Sequence, residues 1–220
     1  LSQNTVSASS DYFRSRQSTQ WNNASTWESS YDSIKWITAT LKPTSSAKNI
    51  LIKDSVTITS AESAKLLTIA SGAKLTYTTG TGYSGGYTLT IVDDGSAAFD
   101  FNIYGTYVVF GNPATLGSGV TVKIFNGGVI RADANSGGLS DNFAFNASVY
   151  FTNGSVFDWN TSVALNSSAI TYFKYNNAQP TTDIAIFRIS KPLSLGASQV
   201  TTINGLLDAN ARVIFTGAGN

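Results

Sequence analysis

A short strand–turn–strand unit recurs along this chain, and it constrains the fold more than any other feature. It reads Ile52-Lys53-Asp54-Ser55-Val56-Thr57-Ile58, then Ile69-Ala70-Ser71-Gly72-Ala73-Lys74-Leu75. It returns as Ile91-Val92-Asp93-Asp94-Gly95-Ser96-Ala97, as Ile124-Phe125-Asn126-Gly127-Gly128-Val129-Ile130 and as Phe151-Thr152-Asn153-Gly154-Ser155-Val156-Phe157. A weaker copy lies at Ile203-Asn204-Gly205-Leu206-Leu207. Each copy joins two alternating runs of β-branched or aromatic residues through a Gly, Asn or Asp turn. No convincing stretch carries apolar residues at the spacing of a helix face.

Glycines 72, 95, 127 and 154 recur at irregular intervals, within the range of about 20–50 residues at which solenoid coils repeat. In such coils a turn glycine or asparagine supplies positive φ at a corner, and alternate residues fill the interior. The expected fold is therefore all-β, a right-handed parallel β-solenoid over residues 49–220. An antiparallel β-sandwich is the rival, because the same turns would close hairpins there. Recurrence of the whole unit favours the solenoid, since hairpins need no self-similarity. Residues 1–48 do not repeat and hold Trp21, Trp27 and Trp36, three of the four tryptophans. They are expected to form an aromatic cap, because an open coil end exposes unpaired N–H and C=O groups. Residues 79–86 and 135–142, rich in Gly and Ser, read as loops leaving the coils.

Composition narrows the setting. Only 12% of residues are charged, about half the usual share of roughly 25%. Ser, Thr, Asn and Gly do the solvating, which suits an extracellular surface. The net charge is +1 with no basic stripe, so a phosphate backbone finds little to neutralise and nucleic acid is not an expected partner. No apolar run is long enough to span a bilayer as a helix. The mostly polar start at Leu1 reads as a mature N-terminus after signal removal.

The same composition removes most catalytic chemistry. Cysteine and histidine are both absent, so there is no disulfide, no thiolate metal site, no Ser-His-Asp triad and no Cys-His pair. A glycosidase or lyase would rest on carboxylates. Asp100, Asp133 and Asp158, stacked beside Arg131, would hold Ca²⁺ and form a lyase site. The plainer reading makes Asp93-Asp94-Gly95 a turn and Asp133 and Asp158 strand ends. No Asp-x-Asp-x-Asp-Gly calcium loop occurs. No catalytic residue, cofactor or metal is expected.

Sugar binding has better candidates. Tyr83, Tyr87, Tyr104, Tyr107, Trp159, Tyr172 and Tyr175 offer flat faces for pyranose rings, and Tyr104, Tyr107, Trp159 and Tyr172 are the selected stacking residues. The competing reading packs these rings inside the coils. Trp21, Trp27 and Trp36 are assigned to cap packing. An ice-binding face is disfavoured, because the Thr-x-Thr pairs at 57/59, 76/78 and 88/90 do not continue into later copies.

The first fifty residues carry Tyr12-Phe13-Arg14-Ser15-Arg16-Gln17-Ser18, then Trp21-Asn22, Thr26-Trp27-Glu28, Trp36, Pro43 and Ile50-Leu51-Ile52. With Leu67-Thr68-Ile69-Ala70-Ser71-Gly72-Ala73-Lys74-Leu75, this opening resembles large secreted and cell-surface proteins of Bacteroidetes exported by the type nine secretion system. The resemblance implies an extracellular location and the secretion machinery as a partner. It also implies O-glycosylation of Asp-Ser/Thr-aliphatic triplets, here Asp32-Ser33-Ile34 and Asp54-Ser55-Val56, with Ser33 and Ser55 as attachment sites. The Asn-x-Ser/Thr triplets carry no weight in a bacterium. The expected function is structural or adhesive and non-catalytic, with polysaccharide or other surface proteins as partners. A polysaccharide-binding module is the alternative, and a solenoid polysaccharide lyase stands third.

Overall fold

Short alternating runs bounded by turn residues can satisfy their backbone groups only against other strands, and the described residues do this. The computed structural model describes residues 5–78, 87–96, 98–109, 114–133, 148–160 and 186–190, together with the backbone of three later strands. Within them the protein is all-β, with a single short 3₁₀ turn at Ala24–Thr26. The chain divides into two compact units. The first comprises Leu1–Thr78, Tyr87–Tyr107 and Ala114–Val122, and the second Thr79–Gly86, Val108–Pro113 and Lys123–Asn220.

The first unit opens with three strands, β1 (Tyr12–Ser15), β2 (Trp27–Ser30) and β3 (Ile37–Thr38). Antiparallel pairing joins β1 to β2 and β2 to β3. From β4 onward a different rule takes over. β4 (Asn49–Ile52), β5 (Ser55–Ile58) and β6 (Glu62–Ala64) follow one another and belong to three different sheets. β7 (Leu67–Ile69), β8 (Lys74–Tyr77) and β9 (Leu89–Ile91) then pair in parallel with β4, β5 and β6. β10 (Phe101–Ile103), β11 (Thr106–Val109) and β12 (Thr115–Leu116) add a third layer on β7, β8 and β9, again in parallel. Each strand thus pairs with the strand three places on.

Alternation fixes the register. Ile50, Leu67 and Phe101 face one another, as do Ile52, Ile69 and Ile103, and Val56, Leu75 and Tyr107. All nine are fully buried, and burying each such side chain contributes about 1.5–3 kcal/mol. The neighbouring positions, Leu51, Thr68 and Asn102, point the other way and are half-buried. A slip by one residue would turn every apolar row outward.

The turns do not close hairpins, because they join strands of different sheets. Gly72 links β7 to β8 with φ of 79°, and the Ala73 amide donates to the Ala70 carbonyl at 3.0 Å. This removes the antiparallel sandwich, which needs each such turn to pair the strands it connects. The sequence repeat also needs one correction. Gly95 has the expected positive φ of 73° but sits between β9 and β10, a different corner from Gly72. The counterpart of Gly72 in that layer is Gly105. A Cβ there would lie 2.3 Å from the Ala70 carbonyl oxygen and 2.4 Å from that of Ala73, so the requirement is close backbone approach.

Residues before β4 cover exposed edges of the first layer. β1 pairs in parallel with β4, and the Trp21 amide and the Thr19 carbonyl bond to Thr57 of β5 at 2.9 and 3.0 Å. Beside β6, Lys42 Nζ holds both carboxylate oxygens of buried Glu62, at 2.9 and 2.8 Å. Trp21 and Trp27 are fully buried, meet edge to face at 5.0 Å, and donate their indole N–H groups to the carbonyls of Pro43 and Trp21.

In the second unit, β13 (Val122–Ile124, of which Lys123 and Ile124 belong here) leads through Gly127 to β14 (Val129–Asp133). β15 (Val149–Phe151) leads through Gly154 to β16 (Val156–Asn160). Both glycines have positive φ, and each turn is closed by the same backbone bond, Gly128 to Phe125 and Ser155 to Thr152. β17 (Ile186–Ile189), β18 (Leu193–Leu195), β19 (Leu206–Ala209) and β20 (Val213–Phe215) complete the described chain. β14, β16, β17 and β19 form consecutive parallel pairs, and β18 pairs in parallel with β20. Ile130, Phe157 and Phe187 form one buried row, with the last two rings stacked at 5.5 Å. On alternate positions Arg131, Asp158, Arg188 and Asp208 stand opposite one another in sequence. The weak sequence copy at 203–207 lies outside the described residues except for its last two, which begin β19.

Candidate functional surface

Two of the selected sugar-stacking residues are interior. Tyr107 and Trp159 are fully buried and present no face to a ligand. Tyr107 packs edge to face on Phe101 at 5.3 Å, and its hydroxyl lies 2.7 Å from that of Tyr77. Both phenols are pushed well above the ordinary tyrosine value, primarily by burial. Trp159 packs against Phe157 at 6.1 Å. Tyr104 and Tyr87 are exposed, whereas Tyr172, Tyr83 and Tyr175 lie outside the described residues, as do the loops 79–86 and 135–142.

The carboxylates are committed to local structure. Asp100 is buried in the first unit, where it accepts the amides of Asp94 and Thr121, each at 2.8 Å. Asp93 accepts the Gly95 amide at 2.7 Å, as a turn residue does. In the second unit Arg131 Nε bonds Asp133 at 2.7 Å, and Asn160 donates to the same carboxylate oxygen. Asp158 stands opposite Arg131 and accepts from the Ser190 hydroxyl. Among the described residues no three acidic groups are placed to hold a metal.

Ser33 lies on an exposed turn with φ of 62°, left-handed backbone that is uncommon outside glycine. The Asp32 carboxylate holds the turn by accepting the Ile34 and Lys35 amides, each at 2.9 Å. Those amide bonds lower its pKa to about 2. Ser55 is half-buried on β5, and its amide donates to the Ser18 hydroxyl at 3.1 Å.

Among the described residues, the N-terminal strands carry an outward surface of rings and cations in the segment whose tryptophans are expected to pack as a cap. Tyr12 and Arg14 sit two apart on β1, so their side chains share a face, while Phe13 and Ser15 point inward and are buried. Arg14 is paired with Glu28 of β2 at 2.6 Å, and its guanidinium carbon lies 4.1 Å from the centre of the Trp36 ring. Lys48, just before β4, places its ammonium 5.2 Å from the Tyr12 ring centre and 4.7 Å from that of Tyr31. It also donates to the Tyr31 carbonyl at 3.2 Å. Tyr31 and Ile34, on the turn between β2 and β3, are 67% and 78% exposed. Trp21 and Trp27 are core residues, but Trp36 is only half-buried and belongs to this face. The aromatic content of 12–36 was visible in the sequence. Which rings turn outward depended on strand parity across a non-repeating segment.

No protein-family model, curated protein or solved structure matches the chain.

Proposed function

We propose that the chain is a right-handed parallel β-solenoid that serves as a structural and adhesive, non-catalytic segment of a secreted or cell-surface bacterial protein. The observation that carries this reading is the pairing of each strand with the one three places on, β4 with β7 and β10, β5 with β8 and β11, β6 with β9 and β12. Coils stacked in this way run their hydrogen bonds along one axis around a continuous apolar interior, which resists bending and proteolysis. Residues 1–48 act as the cap of the first coil. The low charge and the resemblance of residues 12–36 and 67–75 to type nine secreted proteins support an extracellular setting. The exposed turn at Ser33 is the better of the two O-glycan candidates. Commitment of Asp100, Asp133 and Asp158 to structural partners speaks against the lyase.

Antibodies raised against the purified chain test this on intact cells of the native source. Labelling of unpermeabilised cells, with weakened attachment when the gene is disrupted, is the expected result. Labelling that needs permeabilisation would overturn the reading.

A further inference from the structure

The outward face of β1–β3 combines flat rings with cations in a way that its own packing does not use up. Tyr31 is two-thirds exposed, so one ring of the Tyr12–Lys48–Tyr31 sandwich remains open to a stacking partner. Aromatic faces of this kind suit the apolar side of a pyranose ring, with neighbouring polar groups setting its orientation. The Lys48 ammonium lies within the roughly 6 Å range of a cation–π contact to both rings, which holds it in place without neutralising it.

Charge selects among sugars. The face and its turn carry four cations, Arg14, Arg16, Lys35 and Lys48, against two carboxylates, Glu28 and Asp32. Among the described residues only Arg14 of these cations forms an ion pair, with Glu28. Arg16 is held by the Thr38 hydroxyl, so its charge is positioned but uncompensated. The surplus favours a ligand bearing carboxylate or sulfate over a neutral glycan. Four cations are too few for a nucleic-acid track.

Register selects a polymer over a single sugar. The row that begins at Thr38 and Glu28 passes through Arg14 to Leu51, Thr68 and Asn102, one residue per strand. With strands about 4.8 Å apart, this is a mostly polar track leading away from the aromatic cluster.

We infer that Tyr12, Tyr31, Trp36, Arg14 and Lys48 form a binding site for an acidic polysaccharide, laid across the strands with a uronate or sulfated ring stacked at Tyr31 and its anionic group at Lys48. The inference gives the adhesive part of the proposed function a ligand and rests on that part for its context. Binding to the purified chain is a separate matter from where the cell keeps it.

The test is retention of the full chain on immobilised polygalacturonate, with dextran as the neutral comparator. Retention on polygalacturonate and not on dextran is expected, together with a roughly tenfold loss of affinity for Tyr31→Ala and for Lys48→Gln, the size of one lost stacking or charge-assisted contact. Both residues are exposed, so unchanged urea unfolding of the variants is expected and shows that the fold survives. Lys74→Gln, on another sheet, keeps wild-type retention. Affinity should fall between 0.1 M and 1 M salt, where the Debye length shrinks from about 10 Å to about 3 Å. No retention, retention unchanged in both variants, or equal binding to DNA or anionic vesicles would overturn the site. If surface labelling fails while polygalacturonate binding holds, the cellular role is wrong and the site stands.

Discussion

Two tyrosine hydroxyls buried in the interior of the first unit give the sharpest test of its packing. Tyr77 and Tyr107 are both at least 95% buried, and their hydroxyl oxygens lie 2.7 Å apart. The Tyr107 oxygen also accepts the buried Ala114 amide at 3.0 Å. Tyr107→Phe changes the shape of the core very little but strands the Ala114 N–H and leaves Tyr77 without its partner. Each unsatisfied buried group costs about 1–3 kcal/mol, so with two such groups the variant should lose about 2–6 kcal/mol. Tyr77→Phe should lose about 1–3 kcal/mol, because it leaves the Tyr107 hydroxyl without that partner. The double variant strands the Ala114 amide but no hydroxyl. It should therefore fall short of the sum of the singles by about 2 kcal/mol, within the range for residues in one network. Equilibrium urea unfolding followed by tryptophan fluorescence measures all four proteins. Single losses under about 0.5 kcal/mol, the range of surface substitutions, would show that the hydroxyls are solvated. Strict additivity would show that they do not touch.

Further expectations follow from the same interior. Folding holds both phenols protonated above their ordinary pKa of 10.0, so their contribution is complete below pH 10 and is lost as pH rises beyond it. Each should lower stability by up to about 1.4 kcal/mol per pH unit there, and urea midpoints between pH 9 and pH 12 check this. Lys42→Ala leaves Glu62 buried without its cation. With Lys42 about a third exposed, the cost should be about 2–3 kcal/mol, near the lower end for broken buried pairs, and adding Glu62→Leu should recover most of it in the same assay. Gly105→Ala drives a methyl into two carbonyl oxygens and should cost about 3 kcal/mol or more. Gly72→Ala meets nothing within 4 Å and should cost about 1–2 kcal/mol for its left-handed φ alone. Thermal unfolding of the two variants separates crowding from backbone strain.

The sequence was most legible where one local rule decides the structure. Alternation placed Ile50, Ile52, Val56 and Ile58 inside and Thr57 outside, because a strand has a period of two and these runs are uninterrupted. The Asn-Gly turns at 127 and 154 and the Ser-Gly turn at 72 were readable as positive-φ corners for the same local reason. Gly95 and Gly105 mark where that reading stopped. Asp93-Asp94-Gly95 looks like Gly72 because any corner that needs positive φ favours glycine. The true counterpart, Tyr104-Gly105, carries no turn signature, since its glycine answers to carbonyls of residues 70 and 73 far away in sequence. Tyr107 and Trp159 were ambiguous because an aromatic on a strand is equally suited to either face. The outward cluster at Tyr12, Tyr31, Trp36 and Lys48 was hidden because its members come from β1, a turn and the residue before β4. Antiparallel and parallel pairings bring them together, and neither shows in local pattern.

The opposed row Arg131, Asp158 and Arg188 also says something about how the second unit avoids mistakes while it folds. Parallel strands of similar shape and hydrophobicity are nearly interchangeable, and a strand that skips its neighbour still finds an apolar row to join. Here the skip has a cost. If β14 were to dock on β17 in place of β16, Arg131 would face Arg188. Directly opposed like charges are unfavourable and unlike charges favourable, by roughly 0.2–1 kcal/mol each. The alternation works as a parity check: docking on the adjacent strand brings opposite signs together, and skipping one strand brings like signs together.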